Sequence, residues 1–134
     1  MLEIPLIDEM GIKSREERRL TLDSTPRVHN PFQSIHAAAQ FALAETQSGL
    51  FLQNLFPEYK GEVMPLLRGA TVKYKHQATS TIEAIAKVDD EKKEKFMRQF
   101  NRKGRASITV DMTVIDEAFI VTMEGTFTWF IQKR

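Results

Sequence analysis

The chain has 134 residues, 42% hydrophobic and 28% charged, which suits one soluble globular domain with a real core and excludes a disordered chain. Nineteen Lys and Arg against eighteen Asp and Glu leave a formal net charge of +1, so no global basic field points to nucleic acid. There is no cysteine, which removes disulfides, thiolate metal sites and cysteine nucleophiles together and suits a reducing compartment.

The opening residues Met1-Leu2-Glu3-Ile4-Pro5 lack the basic and apolar regions of a signal peptide. No stretch approaches the ~18 apolar residues of a membrane helix, so the expected location is the cytoplasm, with no membrane partner. Ser14-Arg15-Glu16-Glu17-Arg18-Arg19 reads as charged and solvated. Residues 1–18 are therefore set apart as a peripheral segment of a single domain spanning 1–134. A short strand is expected near Arg19 to Leu22, ended by Asp23-Ser24-Thr25-Pro26, because proline turns its predecessor away from helix.

From Phe32 to Phe56 the period is helical. Ile35, Ala38, Ala39, Ala42, Thr46 and Gly49 recur on one face, and Phe41, Ala44, Ser48, Leu52 and Leu55 on another. A helix apolar around so much of its girth is buried on several sides. Pro57 fits its end.

After Pro65 the period becomes two. Leu66 to Lys75, Ile82 to Val88, Ala106 to Val114 and Phe119 to Ile131 read as half-buried strands, with turns at Gln77 to Ser80 and Asp116-Glu117. Between them, residues 89–104 form a short charged helical insertion, started by Asp89 or Asp90, carrying Phe96, Met97 and Phe100, and ended by Gly104. One buried helix followed by a run of strands is an α+β pattern. A curved antiparallel sheet wrapping the helix, with a partner subunit covering the rest, accounts for the helix better than one sheet face alone.

The side chains that carry chemistry are few. Glu45 lies in the middle of the apolar helix, either at its water-facing edge or held for use. His36 sits near the helix start. His29, His36 and His76 show no metal-ligand spacing, so no metal is expected. Neither a Gly-x-Ser-x-Gly motif nor a Gly-rich phosphate loop is present.

The run from Asn30 through His36-Ala37-Ala38 to Glu45 and Gly49 resembles the helix motif of hotdog-fold acyl-CoA thioesterases: an asparagine, then His-Gly-Gly, then a short apolar run to an acid. Val72 to Ala78 is similar to that family's second strand and Ala106 to Phe130 to its last two, so the likeness covers roughly residues 28 to 132. It resembles most the DUF4442 branch of thioesterase-like hotdog proteins. The resemblance implies a hotdog fold, one long central helix wrapped by an antiparallel β-sheet.

It also implies a thioester as substrate, carried by coenzyme A or an acyl-carrier protein, and no cofactor. In such proteins a carboxylate acts as general base or nucleophile, and a backbone N–H at the helix start polarises the thioester carbonyl. By resemblance Glu45 is the acid, Ala37 the N–H donor, Asn30 a residue orienting water or substrate, and His36 the first residue of the His-Gly-Gly position. Ala38, Ser48 and Tyr74 are expected beside the substrate.

Ala37-Ala38 departs from Gly-Gly by adding methyls where substrate approaches. That departure keeps a second reading open, a non-catalytic acyl-thioester binder or structural hotdog dimer. A hotdog hydratase or dehydratase, using His29 or His36 with an acid, comes third. Ala37 and Glu45 are eight residues apart, about 12 Å along one helix, too far for both to reach one thioester carbon. If both serve one reaction they come from different subunits, so a homodimer or a tetramer built from dimers is expected. Lys92, Lys93, Lys95, Arg98, Arg102, Lys103 and Arg105 either form a solvated helix face or meet coenzyme A phosphates.

Overall fold

The computed structural model describes residues 4–16 and 19–134. In chain order the elements are helix α1 (Pro5–Met10), strands β1 (Lys13–Glu16) and β2 (Arg19–Leu22), helix α2 (Ala37–Leu55), strands β3 (Val63–Tyr74) and β4 (Ile82–Lys87), helix α3 (Asp90–Lys103), and strands β5 (Arg105–Ile115) and β6 (Val121–Lys133). The strands form one six-stranded antiparallel sheet in the order β1-β2-β4-β5-β6-β3.

Alternation in β5 and β6 builds the inner face. Ala106 opposes Ile131, Ile108 opposes Trp129, Val110 opposes Phe127 and Val114 opposes Met123, and all eight are buried. Helix α2 lies against this face, touching β2, β4, β5 and β6, with Ala39, Leu43, Ala44 and Leu52 in the core. Gly125 is required where β6 meets β3, because a Cβ there would collide with the Thr71 carbonyl.

Strand β3 lies outside this cover. None of its twelve residues is buried, and its far edge has no strand beside it among the described residues. Pro65, which has no N–H to give to a ladder, fits such an edge.

Helix α3 has the expected caps. The Asp89 carboxylate accepts the Lys92 N–H at 2.8 Å, and Gly104 ends the helix at φ 73°. Its apolar face forms an aromatic cluster over the end of α2, with Phe56 and Phe96 ring centres 4.9 Å apart and Tyr59 and Phe100 4.7 Å apart.

Several boundaries differ from the sequence expectation, among them β3, which starts at Val63 rather than Leu66. Helix α2 starts at Ala37 rather than near Phe32, because Asn30 folds the intervening residues into a turn. Its Oδ1 accepts the Phe32 and Ser34 N–H groups, and Gln33 takes φ 63°. Strand β6 starts at Val121, because Phe119 turns the chain at φ 62° and Asp116 Oδ1 accepts the Ala118 and Ile120 N–H groups. Within the charged N-terminal stretch, Lys13 to Glu16 form β1, pairing Lys13 with Thr21 and Ser14 with Leu20, while Glu17 and Arg18 lie outside the described residues. Ile7 and Ile12, each 4% exposed, join the core.

Candidate active site

The first turn of α2 presents one free backbone donor to solvent. His36 is its N-cap, with φ −59° and ψ 141°, and its ring Nδ1 accepts the Ala38 N–H at 3.0 Å. The Ala39 and Gln40 N–H groups are held by the His36 carbonyl. The Ala37 N–H has no acceptor among the described residues, and Ala37 is exposed. An unpaired N–H at the positive end of a helix dipole favours an anion. Ala37 and Ala38 do not take positive φ, so the backbone here makes no demand for glycine. Tyr74, at the end of β3, donates its hydroxyl to the Ala37 carbonyl at 3.2 Å, which places it beside the same turn. Burial pushes the Tyr74 phenol pKa up.

Glu45 lies two turns further along the same helix and is half-buried. Burial raises its carboxyl above the ordinary value of 4.5, and a hydrogen bond with Thr46 opposes that rise. Partial desolvation favours the protonated form of a carboxyl that solvent still reaches.

Behind Glu45 the helix is anchored to the sheet. Trp129 Nε1–H donates to Ser48 Oγ at 2.9 Å, and the Ser48 hydroxyl donates to the Glu45 carbonyl at 2.7 Å. Ser48 is fully buried, so it supports the turn carrying Glu45 from the core side instead of lining the substrate space expected for it. One step on, Gly49 lets the Trp129 ring approach: a Cβ at position 49 would sit 3.2 Å and 3.3 Å from Trp129 Cζ2 and Cη2. Neither the Ser48–Trp129 bond nor the Gly49–Trp129 contact was visible in sequence. The available signals were a serine three residues after Glu45 and the chain's single tryptophan on the inward phase of a strand.

A cavity of about 80 Å3 continues from Gly49 toward the end of α2. Leu52, Phe56, Phe96, Trp129 and Ile131 form its buried wall, and the exposed Gln53 and Lys60 its mouth.

The other candidates fall elsewhere. Asn30 is engaged in its own turn, its amide donating to Ser34 Oγ at 3.0 Å. His29 Nε2 is bonded to Ser24 Oγ at 2.8 Å, and His76 is exposed. No histidine here is bonded to a carboxylate among the described residues, an arrangement that gives no support to the hydratase pairing. No group of three or more His, Asp or Glu side chains among the described residues is placed to hold a metal ion. Lys92 lies 3.9 Å from Asp111, and Lys95, Arg98, Arg102 and Lys103 project to solvent.

A long helix laid on one curved antiparallel sheet, with its acid in mid-helix, defines the α+β hotdog fold, the architecture of thioesterase structures. The chain belongs to the DUF4442 family, a domain of unknown function whose profile matches residues 5–131. A Pseudomonas aeruginosa protein of unknown function, named a probable thioesterase, superposes with TM-score 0.83 at 20% identity, over 98% of this chain and 89% of that one. A Bacillus halodurans protein solved with CoA gives TM-score 0.76 at 18% identity, covering 97% and 77%. A Haemophilus influenzae thioesterase gives 0.71 at 14%, covering 96% and 82%. At these identities the likeness defines the fold. A comparison with curated proteins finds no match. Among the described residues no helix is long and apolar enough to cross a membrane.

Proposed function

We propose that this protein hydrolyses an acyl thioester of coenzyme A or of an acyl-carrier protein. The observation that carries the reading is Glu45, half-buried in mid-helix with its pKa raised by burial, on the same helix as the free N–H of Ala37. Glu45 takes a proton from water as that water adds to the thioester carbon. The oxyanion is stabilised by the Ala37 N–H. Its collapse breaks the C–S bond, the thiolate takes up the proton, and acid and thiol leave. Direct attack by the Glu45 carboxylate, followed by hydrolysis of the mixed anhydride, balances equally.

The two groups belong to different copies of the chain. Glu45 and Ala37 lie on one continuous helix, about 12 Å apart along its axis, so each active site joins Glu45 of one copy to Ala37 of a second. Strand β3 supports a homodimer, because a twelve-residue edge exposed on both faces is the part of the sheet most in need of a partner. The Bacillus halodurans structure with CoA makes CoA esters the first substrates to test.

The test is an acyl-CoA panel with a free-thiol readout, beside a Glu45→Gln variant. Glutamine keeps the size and loses the base, so kcat/KM is expected to fall by at least about 100-fold. Undiminished turnover in the variant would remove Glu45 from the mechanism. Tight CoA-ester binding without turnover would instead identify the non-catalytic binder that Ala37-Ala38 left open.

A further inference from the structure

We infer that the cavity at the end of α2 receives the acyl tail of the substrate, and that Gly49 and Trp129 set the length of tail it accepts. This rests on the thioester reading of Glu45.

The first ground is continuity. Glu45, Gly49 and Gln53 follow one another at four-residue steps, so they share one strip of α2. That strip runs from the acid to the mouth of the cavity. A thioester held at Glu45 has its tail about 6 Å, one helical step of four residues, from the Gly49 end. At roughly 1.2 Å per bond in an extended chain, about five bonds span that gap.

The second ground is chemistry. The buried wall is apolar and aromatic, with no charged group below the mouth. Such a lining takes a hydrocarbon and refuses a polar group, which would lose its hydrogen bonds there. An apolar cavity of about 150 Å3 takes a benzene ring, so about 80 Å3 holds roughly three carbons. Five bonds of approach and three carbons of cavity correspond to a straight acyl chain of about eight carbons.

The third ground is the fit of the wall. Trp129 is held in place twice, by its Nε1 bond to Ser48 and by the bare backbone of Gly49 against its ring. A methyl group at position 49 meets that ring at 3.2 Å, closer than it tolerates without moving. The methyl stands between two residues that line the cavity, and the ring must give by a few tenths of an ångström to admit it. The same tryptophan touches the cavity and, through Ser48, supports the turn that carries Glu45.

The test uses the protein's single tryptophan as its reporter. Straight-chain primary alcohols of increasing length are titrated while Trp129 emission is followed. They carry the tail without a thioester, so catalysis is not involved. A saturable change is expected, with affinity rising about fourfold per added methylene until the cavity is full. Gly49→Ala is expected to weaken the longest binder at least tenfold. On acyl-CoAs, kcat/KM is expected to peak near eight carbons. Gly49→Ala shifts that peak to shorter chains, and Trp129→Leu shifts it to longer ones. The titration of the unaltered protein and the Gly49→Ala variant decide the matter even if Trp129→Leu does not fold. Hydrolysis of eight-carbon CoA esters with no Trp129 response to the alcohols, or the same response in Gly49→Ala, would overturn the inference while leaving the thioester reading intact. A length-dependent Trp129 response without hydrolysis of any ester would uphold the cavity and overturn that reading.

Discussion

Helices α2 and α3 lie on the same sheet but keep their polar residues in opposite places. In α3 the charges face solvent, Phe96 and Phe100 face inward, and the ends are closed by Asp89 and Gly104. In α2 several polar groups are inside: Gln40, Thr46, Gln47 and Ser48 are all buried, and Glu45 half so. Gln47 Oε1 accepts the Leu20 N–H at 2.7 Å and Ser48 is bonded to Trp129, but Gln40 Oε1 is buried with no partner among the described residues. Buried polar groups weaken a helix unless each is satisfied. Helix α2 keeps four such residues, whereas in α3 only Phe96 and Phe100 are buried. The functional residues are accordingly expected on α2.

The contrast can be broken first at Glu45. Burial raises its pKa in the folded chain above the ordinary 4.5, so its protonated form is favoured by folding. That contribution to stability is present below the unfolded value and is lost as pH rises through the folded one. The rate behaves in the opposite sense, because the base must be ionised. The acidic limb of kcat/KM is therefore expected above pH 4.5, and a pH–rate profile of Glu45→Gln should lose that limb along with at least about 100-fold of the rate. A limb that survives in the variant assigns it to another group.

A smaller effect is expected at Ser48. Ser48→Ala leaves the buried Trp129 N–H without its acceptor, which costs about 1–3 kcal/mol in denaturant unfolding. It should also lower kcat, because the turn holding Glu45 loses its tie to the sheet. Loss of stability without change in kcat would reduce Ser48 to a packing residue. The smallest effect belongs to α3. Asp89→Ala removes the cap on Lys92 and is expected to cost about 1 kcal/mol, with kcat/KM unchanged. A fall in kcat/KM from that variant would erase the distinction between the helices.

The reach of the sequence follows the same division. The period of two marked β3 to β6 because each has a residue series at every second position, and Asp89 and Gly104 bounded α3 because caps are local chemistry. The start of α2 was misplaced by five residues, because Phe32 and Ile35 continue a helical period that the Asn30 turn interrupts. Strand β1 was hidden by its charge: an edge strand of four residues needs no apolar alternation. Glu45 stood out in sequence as a lone acid in an apolar helix, and its pairing with Ala37 came from resemblance. The Ser48–Trp129 tie joins residues 81 positions apart, and no local pattern encodes such a contact or the cavity beside it.

If Glu45 of one copy works with the Ala37 N–H of another, mixing two inactive variants restores activity. Ala37→Pro deletes that N–H at the first position of α2, where proline is tolerated, and His36 already holds the ψ of 141° that a following proline demands. Ala37→Pro and Glu45→Gln are each expected to lose about 100-fold or more in rate. Mixed in equal amounts and allowed to exchange subunits, half the dimers carry one of each, and each of these regains one intact site of two. Recovery to about one quarter of the unaltered activity is expected. A mixture no more active than its parts, with subunit exchange verified, would contradict the shared site.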